Sequence, residues 1–446
     1  MADRAIARAP RSTQATPWPA GVAPTREYWA AYNFLKQGDG HLFVTGRAGT
    51  GKSTLLTSLR ELLPDGMVVL APTGLAAVNV GGQTIHSFFG FPPRLIRPDD
   101  IRRSRNGGLM RRLKFLVIDE VSMVRSDLMW AIDQSLRVNR GRPREAFGGV
   151  RLALFGDLHQ LPPVINEAEV AHHLESEFGG PFFFSLNSLG EGAGTSLIEL
   201  SEVFRQKDAA LLEVLNKIRD GDAQEGDLAL LNGRVHPIRN LSEGEAYVIL
   251  TPTNAAAGRI NMAYLNALPG APRTYQAVTT GEYSQSAQPT DATLILKAGA
   301  KVMFLRNDPD RRWVNGTIAR VSRLKEDRVW IEVNGDEHEV EQATWESRRY
   351  AYDKGAEKIT ETVAGTFCQF PLRLAWALTI HKSQGLTLDK AYIDLGRGTF
   401  AHGQAYVALS RCRSLDGLAL ARPLRPGDIL FDQAATGYRS AFSALG

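Results

Sequence analysis

Residues 46–53 read Gly46-Arg47-Ala48-Gly49-Thr50-Gly51-Lys52-Ser53, and no other stretch limits the fold of this chain as tightly. The apolar run Leu42-Phe43-Val44 precedes it as a strand, and Thr54-Leu55-Leu56-Thr57-Ser58-Leu59 continues it as a helix. Strand, glycine-rich turn and helix make a loop whose backbone N–H groups point inward at phosphate, with the helix N-terminus behind them. Lys52 adds a point charge, and Ser53 is placed to hold Mg²⁺ between the β- and γ-phosphates. This part of the chain is thereby committed to an α/β sheet and to a nucleoside triphosphate.

A length of 446 residues leaves room for two or three domains around that loop. No apolar run approaches the roughly 20 residues of a membrane span, so no membrane partner is expected. Cys368 and Cys412 are the only cysteines, which excludes a disulfide framework and a cysteine-based zinc site and suits a reducing compartment. The net charge of +4 permits a polyanionic partner without demanding one. Residues 1–24 are rich in Ala, Pro, Arg and Thr and lack a secretory apolar core. They read as the disordered tail of a bacterial cytoplasmic, nucleoid-associated protein rather than as an organelle transit peptide.

Short apolar runs recur, each ending at a polar turn. Residues 41–44 lead to the phosphate loop, 67–71 to Pro72-Thr73-Gly74, 115–118 to Asp119-Glu120, and 152–155 to Gly156-Asp157. Such runs suit parallel strands buried on both faces, whose carboxyl ends gather ligands. The first domain is expected over residues 25–195. A second α/β domain follows over 196–309 and 371–446, with strands at 247–250, 301–305 and 391–393. Between 310 and 370 short, partly alternating runs joined by Lys325-Glu326-Asp327 and Asn334-Gly335-Asp336 favour a small antiparallel barrel inserted in that domain.

The polar turns carry chemistry. Asp119 closes a strand as a Mg²⁺ ligand would, and Glu120 can orient or deprotonate an attacking water. Gln160, in the run Gly156-Asp157-Leu158-His159-Gln160-Leu161-Pro162-Pro163-Val164, is a neutral group able to sense the γ-phosphate. Arg205 and Arg411 can bring positive charge from the second domain, which makes the nucleotide site a cleft between domains. Gln404 and Arg411 are seven apart, so one helix would present both on one face.

In this order the motifs resemble those of the superfamily 1 DNA helicases that move 5′→3′, specifically the petite integration frequency (PIF-like) family. The resemblance rests on Gly46–Thr54, Ala71-Pro72-Thr73-Gly74-Leu75-Ala76-Ala77, Gly82-Gln83-Thr84-Ile85-His86-Ser87-Phe88-Phe89 and Ile118-Asp119-Glu120-Val121-Ser122-Met123. It continues through residues 156–164, Phe204-Arg205-Gln206, Val314-Asn315-Gly316-Thr317, Thr379-Ile380-His381-Lys382-Ser383-Gln384-Gly385-Leu386-Thr387 and residues 403–411. It implies an α/β fold of two RecA-like parallel-sheet motor domains, with a small insertion after Phe89 and an Src-homology-3-like barrel in the second. It implies that Gly46, Gly49, Thr50, Gly51, Lys52, Ser53 and Thr54 bind ATP, with Mg²⁺ on Ser53 and Asp119. Catalysis would fall to Lys52, Asp119, Glu120, Gln160, Arg205 and Arg411, and Gln384 and Gly385 would couple nucleotide to DNA. Pro72, Thr73, Thr84, His86, Phe88, Thr253, Asn254, His381 and Ser383 would contact single-stranded DNA, hydroxyls and imidazoles bonding phosphates while aromatics stack.

The implied activity is an ATP-dependent 5′→3′ DNA helicase of replication, repair or recombination, acting as a monomeric motor on single strands and forked duplex. G-quadruplex and RNA–DNA hybrid are further candidate substrates. A translocase that remodels protein–DNA complexes without unwinding would use nearly the same motifs. One departure is local: the family's adenine-reading glutamine is missing from Thr25-Arg26-Glu27-Tyr28-Trp29-Ala30-Ala31-Tyr32, where Tyr28 and Trp29 could stack on a base or pack a core. The insertion at 90–114 carries Arg94, Arg97, Arg102, Arg103, Arg105, Arg111, Arg112 and Lys114 against Asp99 and Asp100, a pattern that attracts a phosphate backbone. Arg137, Arg140, Arg142 and Arg144 read as solvated surface.

Overall fold

The computed structural model describes residues 17–445 except 64, 105–106, 166, 191–193, 203–207, 354 and 357. Seven parallel strands build the first sheet, in the order Ser443–Ala444, Thr195–Leu200, His41–Gly46, Arg151–Phe155, Phe115–Ile118, Met67–Ala71 and Gln83–Thr84. Its interior strand His41–Gly46 shows why the short apolar runs fold this way. Leu42 and Val44 point into one buried cluster with Leu55, Leu56 and Leu59 of the Lys52–Leu62 helix, while Phe43 points into the opposite cluster with Leu116 and Ile132. Both faces are covered, so an alternating polar pattern would leave polar groups without water.

A second parallel sheet has the order Ala377–Thr379, Val248–Thr251, Ala391–Ile393 and Leu418–Leu420. The helices Ala209–Asp220 and Gln404–Leu409 pack on it through Leu211, Leu215, Ile218, Val407 and Ala408. Leu161, from the loop after the first sheet's Arg151–Phe155 strand, is buried in this second core. The two sheets thus share a packed seam.

Three expectations are corrected. The Lys301–Phe304 strand lies in an antiparallel sheet, between Ile318–Leu324 and Leu372–Leu374, because four buried residues in a row look alike in a parallel core and in a packed antiparallel one. The antiparallel strands expected within 310–370 are present. They form no self-contained barrel: Ile318–Leu324, Val329–Val333 and Asp336–Val340 are completed by 301–304 and 372–374, and the Ala343–Asp353/Lys358–Gln369 hairpin pairs with Val278–Gly281. The domain boundaries also move. Thr195–Leu200 belongs to the first sheet, and the C-terminal residues return to it, with Tyr438 and Phe442 packed on Phe43. Among the described residues no helix is long and apolar enough to cross a membrane.

His41 opens the His41–Gly46 strand and supplies a pH-dependent brace. Its Nδ1 accepts the Leu152 amide at 3.0 Å, and burial, with Arg151 nearby, lowers its pKa to about 4. The neutral ring is the native form, so this contribution is complete above the unfolded pKa near 6.5 and fades as pH falls towards 4. Over that window His41 accounts for about 3 kcal/mol of lost stability. Urea unfolding of wild type and His41→Asn between pH 7 and 4.5 checks this; the variant, whose amide oxygen can take the same N–H, is expected to show the flatter profile.

Candidate nucleotide site between the two sheets

Gly46 ends the His41–Gly46 strand at φ 154°, and a Cβ there would lie 2.7 Å from Thr50 Oγ1 and 2.8 Å from Leu200 O, so no side chain fits. Gly51 then takes φ 84° as the N-cap of Lys52–Leu62, a left-handed position that suits glycine. No side chain caps that helix, which leaves its first N–H groups to an anion. Lys52 Nζ donates to Gly46 O at 2.6 Å and Arg47 O at 3.1 Å, folded back over the loop it serves. Tyr28 donates its hydroxyl to Gly51 O at 2.7 Å, and Trp29 packs edge-on against Trp18 and Tyr32. Both aromatics therefore belong to a core, although Tyr28 also borders the nucleotide cavity.

Asp119 and Glu120 stand at the end of the Phe115–Ile118 strand. Glu120 adopts φ 49°, a left-handed conformation that a non-glycine residue holds only where the surroundings enforce it. Burial and the neighbouring Glu120 push the Asp119 carboxyl up to about 7; burial raises Glu120 as well, opposed by Lys52. Gln160 donates through Nε2 to Asp157 Oδ2 at 3.0 Å. From the second sheet comes Arg411, 1% exposed, with Nε on Val407 O, Nη1 on Ser383 O and Leu386 O, and Nη2 on Ser410 Oγ. The expected single helix from 404 to 411 is shorter, ending at Leu409, so Arg411 sits in the turn beyond it. Arg205 lies outside the described residues.

One cavity of about 580 Å³ collects Gly49, Thr50, Gly51, Lys52, Ser53 and Thr54 with Glu120, Gln160, Gly385 and Arg411. A second, of about 540 Å³, shares Ser53, Glu120 and Gly385 with it and adds Asp119, Gln384, Thr73 and His381. Gly385 thus stands where the two spaces meet, with Gln384 beside it in the second. Other contacts bind the sheets directly. Ala48 N donates to Tyr406 Oη at 3.3 Å, His402 bonds Leu158 O at 3.1 Å, and Gly403 lies so close to His159 O and Gln160 O that a Cβ would collide with both.

The residues expected to face a nucleic acid separate into two groups. Thr73, Thr84 and Thr253 each cap a helix, accepting from Ala76 N, Ser87 N and Ala256 N, and each hydroxyl keeps its own proton to donate. Pro72, Thr73 and Thr84 are half-buried, and Thr253 and Asn254 are exposed. His86 and His381 are half-buried, and burial lowers the pKa of both, so they meet a partner as neutral rings. Phe88 and Ser383 face inward. Phe88, 2% exposed, packs against Phe89 and Tyr350, and Ser383 is fully buried with Oγ donating to Ile380 O at 2.8 Å. In both cases the motif's polar neighbours reach the surface and the turn that presents them is held from inside.

In the 90–114 insertion Arg94 is neutralised by a two-point pair with Asp100, and Arg112 lies over the Tyr352 ring at 5.4 Å. Arg102, Arg103, Arg111 and Lys114 remain exposed, and Arg105 lies outside the described residues. The second basic run is not simply solvated: Arg137 pairs with buried Asp133, and Arg140 donates to Gly148 O, Met110 O and Leu113 O. Sequence reasoning passed over Tyr406, whose motif was noticed but not its hydroxyl, and Arg219, which ends an ordinary amphipathic helix and carries no local signal.

Residues 29–227 match the model of the PIF1-like helicase family. A relative from Bdellovibrio bacteriovorus, named ATP-dependent DNA helicase Pif1, is 34% identical over 96% of this chain and 95% of its own length. The chain belongs to the PIF1-like helicase family. Among solved relatives, Bacteroides sp. Pif1 in complex with ADP-AlF4 is 35% identical and superposes with a TM-score of 0.84, covering 94% of this chain and 96% of that one. Bacteroides Pif1 bound to single-stranded DNA is 36% identical and covers 94% of this chain and 97% of that one, with a TM-score of 0.66. The two Bacteroides Pif1 structures, at 35% and 36% identity, thus differ in how far their whole shape coincides with this one.

Proposed function

We infer that this chain is an ATP-dependent DNA helicase that moves 5′→3′ along one strand and separates duplex at a fork. The observation that carries the reading is the shared cavity, where Lys52, Glu120 and Gln160 of the first sheet face Arg411 and Gly385 of the second. A triphosphate bound there touches both halves, so hydrolysis changes how they are held together. In this reading Gly46, Gly49, Thr50, Gly51, Lys52, Ser53 and Thr54 cradle the phosphates, Gln160 senses the γ-phosphate, and Arg411 answers the charge that develops in transfer.

Ser53 and Asp119 would hold Mg²⁺. The donor set fits a hard cation, being a hydroxyl and a buried carboxyl whose pKa is raised by burial and by the neighbouring Glu120. When bound, such an ion would supply charge neutralisation to the phosphates, while Glu120 would orient the attacking water. Pro72, Thr73, Thr84, His86, Thr253, Asn254 and His381 form the strand-contacting set, and Gln384 and Gly385 stand between it and the nucleotide. The exposed arginines of the 90–114 insertion add a phosphate-attracting edge for the fork. Residues 25–200 with the C-terminal strand form one motor unit and the remainder the other. ATP-dependent unwinding of a 5′-tailed duplex, with none of a 3′-tailed one, is the expected result. DNA-stimulated hydrolysis without strand separation on any tailed or forked substrate would instead identify a translocase.

A further inference from the structure

Arg219 is the least accounted for charge in the molecule. It ends the Ala209–Asp220 helix of the second sheet's layer, is 2% exposed, and points into the first sheet's layer. Its Nη2 lies 3.6 Å from Asp157 Oδ1 and its Nη1 3.5 Å from Glu199 Oε1. Both are ion-pair distances without hydrogen-bond geometry, and Nε and Nη2 have no hydrogen-bond partner although both are buried. A guanidinium with two orphaned donors away from water is costly, and the nearest relief is the Asp157 carboxylate.

Asp157 is the centre of the turn that presents Gln160. Its Oδ1 accepts the His159 amide at 3.2 Å, its Oδ2 accepts Gln160 Nε2 at 3.0 Å, and its carbonyl accepts Gln160 N at 3.0 Å. The backbone of residue 219 grips the same turn, since Arg219 O lies 2.8 Å from His159 Nδ1. Burial would push the Asp157 carboxyl up; Arg219 and Lys52 outweigh it and hold it below the usual range, as a charged anchor. Side chain and main chain of one second-layer residue therefore both fasten the turn that carries the glutamine.

We propose that Arg219 is a positioning residue for hydrolysis, which fixes Asp157 and through it the Gln160 amide, and so ties that amide to the second half of the motor. The proposal rests on Gln160 acting at the γ-phosphate. Approach of the two halves by about 1 Å brings Arg219 within charge-assisted hydrogen-bond range of Asp157, satisfies its orphaned donors and locks the glutamine. The glutamine is then correctly held only when the cleft is closed.

The test is steady-state, DNA-stimulated ATP hydrolysis of Arg219→Met, Arg219→Lys, Asp157→Asn, the Arg219→Met/Asp157→Asn double variant and Gln160→Ala, each with its Tm. Arg219→Met is expected to lower kcat more than tenfold with KM for ATP within twofold, and Arg219→Lys to recover most of kcat. A lone buried charge destabilises each single variant, and removing both charges restores Tm. The double variant is expected to regain Tm and keep the low kcat. Recovery of both Tm and kcat in the double variant would overturn the proposal, leaving Arg219 a structural ion, as would an unchanged kcat in Arg219→Met. Should Arg219→Met not fold, Arg219→Lys and the double variant decide alone. If Gln160→Ala keeps wild-type kcat, it is the role given to Gln160 that fails; if it loses kcat while Arg219→Met does not, only the role of Arg219 fails.

Discussion

Lys52→Ala is expected to abolish ATP turnover and to leave single-strand binding within a few-fold of wild type. The ammonium sits among Gly46 O, Arg47 O and the carboxylates of Asp157, Glu120 and Asp119, so it is the principal positive charge of the phosphate loop. Taking a cation away from a transferring phosphoryl group in a water-poor site costs on the order of 10³-fold in kcat. Little stability goes with it, since the two hydrogen bonds lost are worth about 1 kcal/mol each and the loop carbonyls can be re-solvated. The residues proposed to face the strand stand on other turns, at Thr73, Thr253 and His381, and none is hydrogen-bonded to Lys52. Hydrolysis in the presence of single-stranded oligonucleotide, beside binding of the same oligonucleotide measured by fluorescence anisotropy, separates the two quantities. A parallel loss of oligonucleotide binding would make Lys52 a scaffold residue.

Much of the first sheet was legible because its physics is local. Four short apolar runs each ended at a polar turn, and strands buried on both faces have no other way to look. The phosphate loop, Asp119, Glu120 and Gln160 could be placed at one edge by that rule alone. Legibility failed where burial is decided by distant segments. Lys301–Phe304 reads like any core strand, and only its antiparallel neighbours assign it to the other sheet. Phe88 looked like a stacking platform, but the hairpin residue Tyr350 covers it, and its hydroxyl also accepts the Val69 amide at the edge of the first sheet. Ser383 lies within a matched motif yet faces inward, since the turn needs its hydroxyl on Ile380 O. Arg219 is illegible for the same reason: its partners Asp157 and Glu199 come from a turn and a strand that it meets only in three dimensions.

Arg411→Ala is expected to match Lys52→Ala in turnover, for a reason that also makes it the harder variant to interpret. A cation brought across an interface to a transferring phosphoryl group is worth on the order of 10³–10⁵-fold in kcat. Arg411 is also a structural donor to Val407 O, Ser383 O and Leu386 O, and truncation removes these hydrogen bonds at about 1 kcal/mol each, although Val407 O keeps Ser410 Oγ and Ser383 O keeps Leu386 N. Alanine will therefore lower Tm as well as turnover. Arg411→Lys separates the two effects, because an ammonium at this depth can keep a carbonyl and the charge but not the planar fork that reaches several acceptors at once. The expected result is a Tm within a few degrees of wild type, turnover still at least tenfold down, and single-strand affinity without nucleotide unchanged. Near-normal turnover in Arg411→Lys would mean that charge alone suffices, and loss of single-strand binding would mean that the buried turn, with Ser383 and Leu386, shapes the strand-facing surface. The decisive comparison is between cation and geometry at one buried position, since both halves of the cleft reach the nucleotide only if that position holds its shape.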